Sequence, residues 1–369
     1  MSDCVIVSVL QNPHNEDVKN NSYEEVIVLK KFFSIFLALA VVFSLAACGG
    51  EKEKAGDGNS DKLVIYSPNS EDMINLIIPM FEKETGITVE LISAGTGELI
   101  KRLETEKDNP YADVLFGGSK AQVLNYPDLF EQYVSANDEH MLEGHKNAGG
   151  FLTPYVADGS VLLVNMDLIG DIEVNGYKDL LNPALKGKII GADPLSSSSA
   201  FAHLTNMLLA MGGYESEEAW EYVEQLIINM EGKVASGSGA VHKAVADGEY
   251  VVGITYEDPA ASYVMDGANV KVVYMEEGTV FLDAGVEIVK GAKNLENAKK
   301  FVDFVTSKEV QDALGTELTN RPVRADATLG SHMTPMEDIN VIYEDEDYVK
   351  NNRDKILQKY QDLYTDVAQ

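Results

Sequence analysis

From residue 62 onward the chain alternates β-rich runs with helical stretches, and this alternation restricts its fold more than any other feature. "KLVIYS" (62–67) predicts a strand, and "MINLIIPMFEKETG" predicts a helix that stops at Gly86. "ITVELIS" (87–93) predicts the next strand, and "GTGELIKRLETEK" a second helix with Leu99, Ile100 and Leu103 on one face. "ADVLFGGS" (112–119), "VLLVN" (161–165), "KIIGADP" (188–194), "VVGITY" (251–256) and "VKVVYM" (270–275) continue the series. Strands separated by helices imply an α/β fold with a parallel sheet.

In such sheets ligands sit beyond the carboxyl ends of the strands, where loops and helix N-termini converge. Nearly every strand exit here is built from Ser, Thr, Gly or Asn. These loops supply Ser67 and Asn69, Gly95 and Thr96, Gly118 and Ser119, Ser197 and Ser198, and Ser236 and Ser238 as candidate ligand contacts. The same residue types also build ordinary turns and N-caps, so only their recurrence at equivalent places favours a crevice.

The stretch "SGSGAVHKAVADGEY" (236–250) is a Gly/Ser turn running into a helix. Successive N–H groups at such a helix start point at one spot, and the helix dipole adds partial positive charge there. Ser236 and Ser238 can donate hydroxyl protons to phosphate or phosphonate oxygens, and His242 a ring N–H. A histidine satisfied by a cap or by the core is the alternative for His242. Glu257 and Asp283 are acceptors, suited to sugar hydroxyls or to an ammonium group. Glu71 and Asp72 occupy the first turn of the first helix and would repel an anion, so Ser67 and Asn69 are expected at the ligand's other end.

The N-terminal region has a different logic. Lys30 and Lys31 precede the apolar run "FFSIFLALAVVFSLAA", which ends at Cys48. That is the pattern of a secretory signal, too short for a membrane span. "LAAC" resembles the lipobox of bacterial lipoproteins, which implies a lipid on Cys48 as the only attachment to the bilayer, on the outer face of the cell membrane. Residues 28–47 are then the signal and 48–60 a flexible tether. Residues 1–27 carry five acidic residues ahead of it, so the expected translation start is Val28.

From Cys48 onward 322 residues remain, with Cys48 their only cysteine, which excludes a disulfide framework. A net charge of −31 argues against nucleic acid and anionic membrane surfaces as partners. Any anionic ligand must be captured by local geometry against that field. No G-x-S-x-G elbow or H-E-x-x-H motif is present, and His140, Glu143 and His145 lack a third zinc ligand. A secreted hydrolase is therefore the weaker reading.

The run from "LVIYSPNSEDMINLIIPMFEKETG" to "ADVLFGG", with "SGSGAVHKAVADGEYVVGITYEDPA" and "NAKKFVDFVTSKEVQDAL", resembles the class II periplasmic binding proteins of ABC importers, family 1. The likeness extends over nearly all of the chain after the tether. It implies a two-lobe fold with a ligand cleft between the lobes, a monomer that is no enzyme, and delivery to an ABC permease with its ATPase. Crossing strands are expected near "TPYVADGSVLLVN" and "GTVFLDAGVEIV", giving lobe one as 61–156 plus 280–320 and lobe two as 157–279. Residues 321–369 are expected to be helical and to pack on one lobe, with Ile356, Leu357, Tyr360, Leu363 and Tyr364 at core spacing.

The nearest branch implied by the resemblance holds binders of ferric iron, phosphonates and sugar phosphates. Its iron binders present adjacent tyrosines where this chain has Glu257 and Asp258. A small phosphorylated or phosphonate solute is therefore expected, with no cofactor. Fe3+ held by His242, Tyr256 and Glu257 is the alternative, since hard oxygen donors suit that cation.

Overall fold

The computed structural model describes residues 61–368, so the expectations for the start site, signal and tether lie outside the described residues. Among the described residues ten strands follow one another: β1 (Lys62–Ser67), β2 (Thr88–Ser93), β3 (Val114–Ser119), β4 (Leu152–Asn165), β5 (Ile189–Ala192), β6 (Val234–Ala235), β7 (Val252–Tyr256), β8 (Val270–Val273), β9 (Phe281–Ile288) and β10 (Arg321–Pro322). They pair in the order β2-β1-β3-β9-β4-β7-β5-β6, with β8 and β10 also on β4. The expected parallel pairing holds at both flanks, β1 with β2 and β3, and β5 with β6 and β7. The middle departs from it, because β4 and β9 run antiparallel.

β4 joins the two flanks by changing partners along its length. Its first half, Leu152 to Gly159, pairs with β9, and its second half, from Ser160, pairs with β7 and β8. All its residues are buried except Asp158, which is part-exposed. A strand covered on both faces needs apolar side chains in succession rather than alternation, which is why "VLLVN" reads as a continuous run.

Each flank has its own core. On the β1 side, the helix Glu71–Thr85 is capped by Ser70 and ended by Gly86 at φ 71°, a left-handed conformation that glycine adopts without strain. Its Met73, Ile77 and Phe81, at helical spacing, turn inward. Phe81 meets Phe301 and Phe304 edge-on with ring centroids 5.1 and 5.3 Å apart, in the arrangement aromatic quadrupoles favour. On the β5 side, Ile189 and Val252 pack with Leu204, Met207, Trp220, Leu226 and Ile227.

The expectation of a wholly helical C-terminal segment is corrected: only Glu346–Ala368 forms an α-helix. Residues 321–345 contain β10 and a single 3-10 turn, Met336–Asp338. Pro322 and Pro335 lack the amide a helix needs and Gly330 favours other conformations, while Val341 bridges to Thr279 beside β9. The last helix itself packs as its spacing predicts, on the β5-side core. Ile356 and Tyr360 are buried there, and Leu357, Leu363 and Tyr364 are partly buried. Lys359 places its Nζ 4.5 Å over the ring of Trp220.

Glu257, expected as an acceptor in a cleft, is instead 1 % exposed and paired inside the protein. Arg321, at the start of β10, donates from Nε to Glu257 Oε2 at 2.8 Å and from Nη2 to Oε1 at 2.5 Å. Tyr274 donates its hydroxyl to the same carboxylate, and Arg321 Nη2 also reaches the Thr334 carbonyl at 2.8 Å. Charges taken this far from water persist when their geometry is bidentate and their remaining hydrogen bonds are filled. Glu257→Gln should leave a buried guanidinium without its anion and cost about 3–5 kcal/mol of stability, measured by urea unfolding.

Glu344, on the strap that leads into the last helix, gives a pH test. Burial pushes its carboxyl from 4.5 up to about 7, with Glu346 and Asp345 adding to the rise and Thr205 opposing it. Native Glu344 thus holds a proton that the unfolded chain releases at lower pH. The stabilisation is complete below the unfolded pKa and is lost as pH rises through about 7. Glu344→Gln, always neutral, should flatten this decline when urea unfolding is compared across that window.

Candidate functional site

A cavity of about 550 Å³ opens where the two flanks meet, lined by residues from both. One wall consists of helix beginnings. The helix Ser198–Ala210 starts at the N-cap Ser197, whose hydroxyl accepts from the Ala200 amide at 3.3 Å. The helix Ser238–Ala246 starts at Gly237, which provides no side-chain cap. Ser196, Ser197, Ser198, Ser199, Gly237 and Ser238 all line the cavity. Ser196 Oγ donates to the Ser236 carbonyl at 3.0 Å, tying the two loops together. Two positive helix ends with interleaved hydroxyls thus face one space, an arrangement suited to oxyanions.

The opposite wall comes from β4 and β9: Asp158, Gly159 and Ser160, with Leu282, Asp283 and Ala284. Ser119 contributes from the end of β3, and Tyr256 from the end of β7. Asp283 lies within hydrogen-bond distance of His145 Nδ1 at 2.6 Å and forms a longer ion pair with Lys120 Nζ at 3.5 Å. Lys120 also reaches Glu346 at 3.1 Å and lines an adjoining recess together with Asp283 and Glu346. Among the described residues no lysine or arginine lines this cavity.

Asp158 was not singled out from the sequence. Its Oδ1 accepts from the amides of Glu257 at 3.1 Å and Asp258 at 3.3 Å, capping the helix Glu257–Met265. Burial, reinforced by the charges of Asp258 and Glu257, pushes its carboxyl well above the usual carboxylate range. Burial, then Asp158 and Asp258, also raises the Tyr256 phenol, with the Ser238 hydroxyl opposing.

Of the candidates, Ser119, Ser197, Ser198, Ser238 and Asp283 line the cavity, and so does Tyr256 from the iron alternative. The others are placed elsewhere. Ser67 is fully buried, donating to the Phe116 carbonyl at 2.6 Å. Asn69 donates to the same carbonyl at 3.1 Å and accepts from the Tyr155 hydroxyl at 2.8 Å. Thr96 packs against Gly118, where an added Cβ would lie 2.8 Å from Thr96 Cγ2. These residues and Gly95 form the joinery of the β1–β3 exits rather than the cavity wall. Ser236 is exposed outside the lining.

His242 faces a neighbouring recess of about 430 Å³ together with Asp72, Asp258 and Thr319. Its Nδ1 lies 3.4 Å from Thr255 Oγ1, and burial lowers its pKa. The proposed iron set is therefore split between an ion pair (Glu257), a recess (His242) and the cavity (Tyr256). Among the described residues no three His, Cys, Asp or Glu side chains gather as a metal cluster.

The fold agrees with that of solved proteins the chain is similar to. Iron uptake protein A1 of Synechocystis sp. is 28 % identical over 318 residues, covering 81 % of this chain and 87 % of that protein. A Salmonella typhimurium protein provisionally named a 2-aminoethylphosphonate-binding periplasmic protein is 26 % identical, covering 79 % of this chain and 86 % of its own. Among solved structures, the periplasmic binding protein AfuA of Actinobacillus pleuropneumoniae, with fructose-6-phosphate bound, superposes with a TM-score of 0.68 at 27 % identity, over 83 % of this chain and 99 % of that one. Residues 77–339 match the model of the bacterial extracellular solute-binding proteins, and the chain belongs to that family.

Proposed function

We propose that this solute-binding protein captures a small organic molecule carrying a phosphate or phosphonate group in the cavity between its two lobes. It then delivers the molecule to an ABC permease and its ATPase from a lipid anchor at Cys48. The observation that carries the reading is the meeting of two helix N-termini and their serines on one wall, at Ser197–Ser199 and Gly237–Ser238. Oxyanions are held by such donors without a formal positive charge. The volume of about 550 Å³ suits a hexose phosphate or smaller ligand. The ligands named for the AfuA structure and for the Salmonella protein have the same oxyanion chemistry.

Lobe one is taken as residues 61–156 plus 280–320 and lobe two as 157–279. The change of partner within β4 at Gly159–Ser160 and the separate cores on either side support that division. Closure then bends the paired β4 and β9 as the hinge. Transport of ferric iron is the competing outcome, since iron uptake protein A1 is also a relative.

Calorimetric titration with hexose phosphates, 2-aminoethylphosphonate and chelated ferric iron tests the reading, alongside native mass spectrometry of protein purified without refolding. Ser238→Ala should weaken an organophosphorus ligand roughly ten- to a hundredfold, the loss of one hydrogen bond to a charged group. His242→Ala should change it little, because that ring faces the neighbouring recess. Tight iron binding with no response to any organophosphorus compound would overturn the proposal.

A further inference from the structure

Asp283 belongs to two spaces at once. It lines the cavity between the flanks, and it lines an adjoining recess with Lys120, His145, Glu344 and Glu346. Its side chain is only 3 % exposed, so water screens its charge poorly and the charge acts on whatever occupies the cavity. Lys120 Nζ stands 3.5 Å from Asp283 Oδ2, and His145 Nδ1 stands 2.6 Å from Oδ1. A neutral imidazole can make the second contact as well as a charged one. Lys120 is therefore the permanent cation of this group.

The sheet fixes their meeting. Ser119, at the end of β3, is registered against Ala284 on β9, and the two strands are antiparallel. One step further along each chain brings Lys120 beside Asp283. Lys120 has a second partner from the other flank, Glu346 Oε1 at 3.1 Å, in the first turn of the last helix. That helix is seated on the β5-side core through Ile356 and Tyr360. Burial works against the charge on Lys120, but Asp283 and Glu346 outweigh it and raise its pKa, so the ammonium is retained. One cation is thus divided between a carboxylate that lines the cavity and one that does not, with the shorter contact to the latter.

We propose that Lys120 sets the affinity of the cavity for anions without touching the ligand: it offsets the charge of Asp283, and Glu346 limits how far it does so. This deepens the oxyanion reading above and rests on it. Without Lys120, the β9 side of the cavity would present an unbalanced negative charge to the helix ends at Ser198 and Ser238. With Glu346 neutral, the lysine would belong to Asp283 alone. Lys120 is a positioning residue that acts on the ligand through Asp283, and the last helix takes part through Glu346.

The test uses charge as its readout. Glucose 6-phosphate and glucose 6-sulfate share a shape and differ by one charge once the phosphate is fully dissociated. Both, with ethylphosphonate alongside, are titrated calorimetrically into the full chain at one pH above that dissociation. Coulomb energy scales with the charge of the ligand, so Lys120→Met should weaken the sulfate about threefold and the two dianions about tenfold. Lys120→Arg should keep most of the affinity, and Glu346→Gln should tighten the dianions about two- to threefold. Adding Asp283→Asn to Lys120→Met should bring binding back to within about threefold of wild type, because the charge that Lys120 offsets is gone. Lys83→Met makes the same change in net charge at an exposed site in the last turn of the helix Glu71–Thr85 and should leave all three ligands unchanged. Equal losses for sulfate and phosphate would overturn the proposal, as would a loss that Asp283→Asn does not restore. Should Lys120→Met fail to fold, Glu346→Gln decides alone, and dianion binding that stays the same or weakens overturns it. Each of these results would leave the oxyanion reading standing. A wild type that binds none of the three compounds would overturn that reading and this proposal with it.

Discussion

The antiparallel pairing of β4 with β9 is the constraint on which the rest of the architecture depends. It runs from Leu152–Glu287 to Gly159–Phe281, and immediately beyond it β4 passes to β7 and β8. A parallel unit on either flank could bury one face of its sheet by itself. It could not present its loops to the other flank without a backbone link of fixed register, and the crossing pair supplies that register. Asp158, Asp283 and the glycine and serine next to Asp158 all lie on the crossing, so part of the cavity is built from the crossing strands themselves. Displacement of these strands would move the cavity lining and both flanks together.

Charge is the second organising theme. With a net charge of −31, the protein must place carboxylates near a space suited to oxyanions. It does so by giving most of them an internal partner. Glu257 is matched by Arg321, Asp283 by His145 and Lys120, and Asp258 by a hydroxyl. The donors that remain on the open wall are hydroxyls and helix ends, which attract anions at short range only. For an anionic ligand, local geometry can outweigh the overall field, because that field is screened over about 8–10 Å of salt solution while contacts inside the cavity are not.

The flanking strands, their helices and the last helix were legible because each rests on local periodicity: Met73, Ile77 and Phe81 in one case, Ile356 and Tyr360 in another. The strand-exit rule also picked out Ser119, Ser197, Ser198 and Ser238, which line the cavity. It could not separate these from Ser67, Asn69 and Thr96, because a serine that caps a neighbouring carbonyl and one that faces solvent read alike. Glu257 was misread because its partner lies 64 residues away, and no local pattern announces that pairing. Asp158 carried a faint signal: it is the one carboxylate in a strand otherwise buried end to end. The C-terminal segment was overextended because the pattern of its last helix was carried backward through two prolines.

Trp220 is the only tryptophan in the chain, and it sits in the β5-side core with Lys359 of the last helix over its ring and its Nε1 bonded to the Tyr214 carbonyl at 2.9 Å. Its emission therefore reports on one half of the molecule and on the seating of the last helix. The β1-side core, built on phenylalanines, is silent at that wavelength. Far-ultraviolet dichroism averages over both halves. Comparing the two signals along one denaturation curve would show whether the crossing strands bind the halves into a single cooperative unit, or whether each half melts on its own terms.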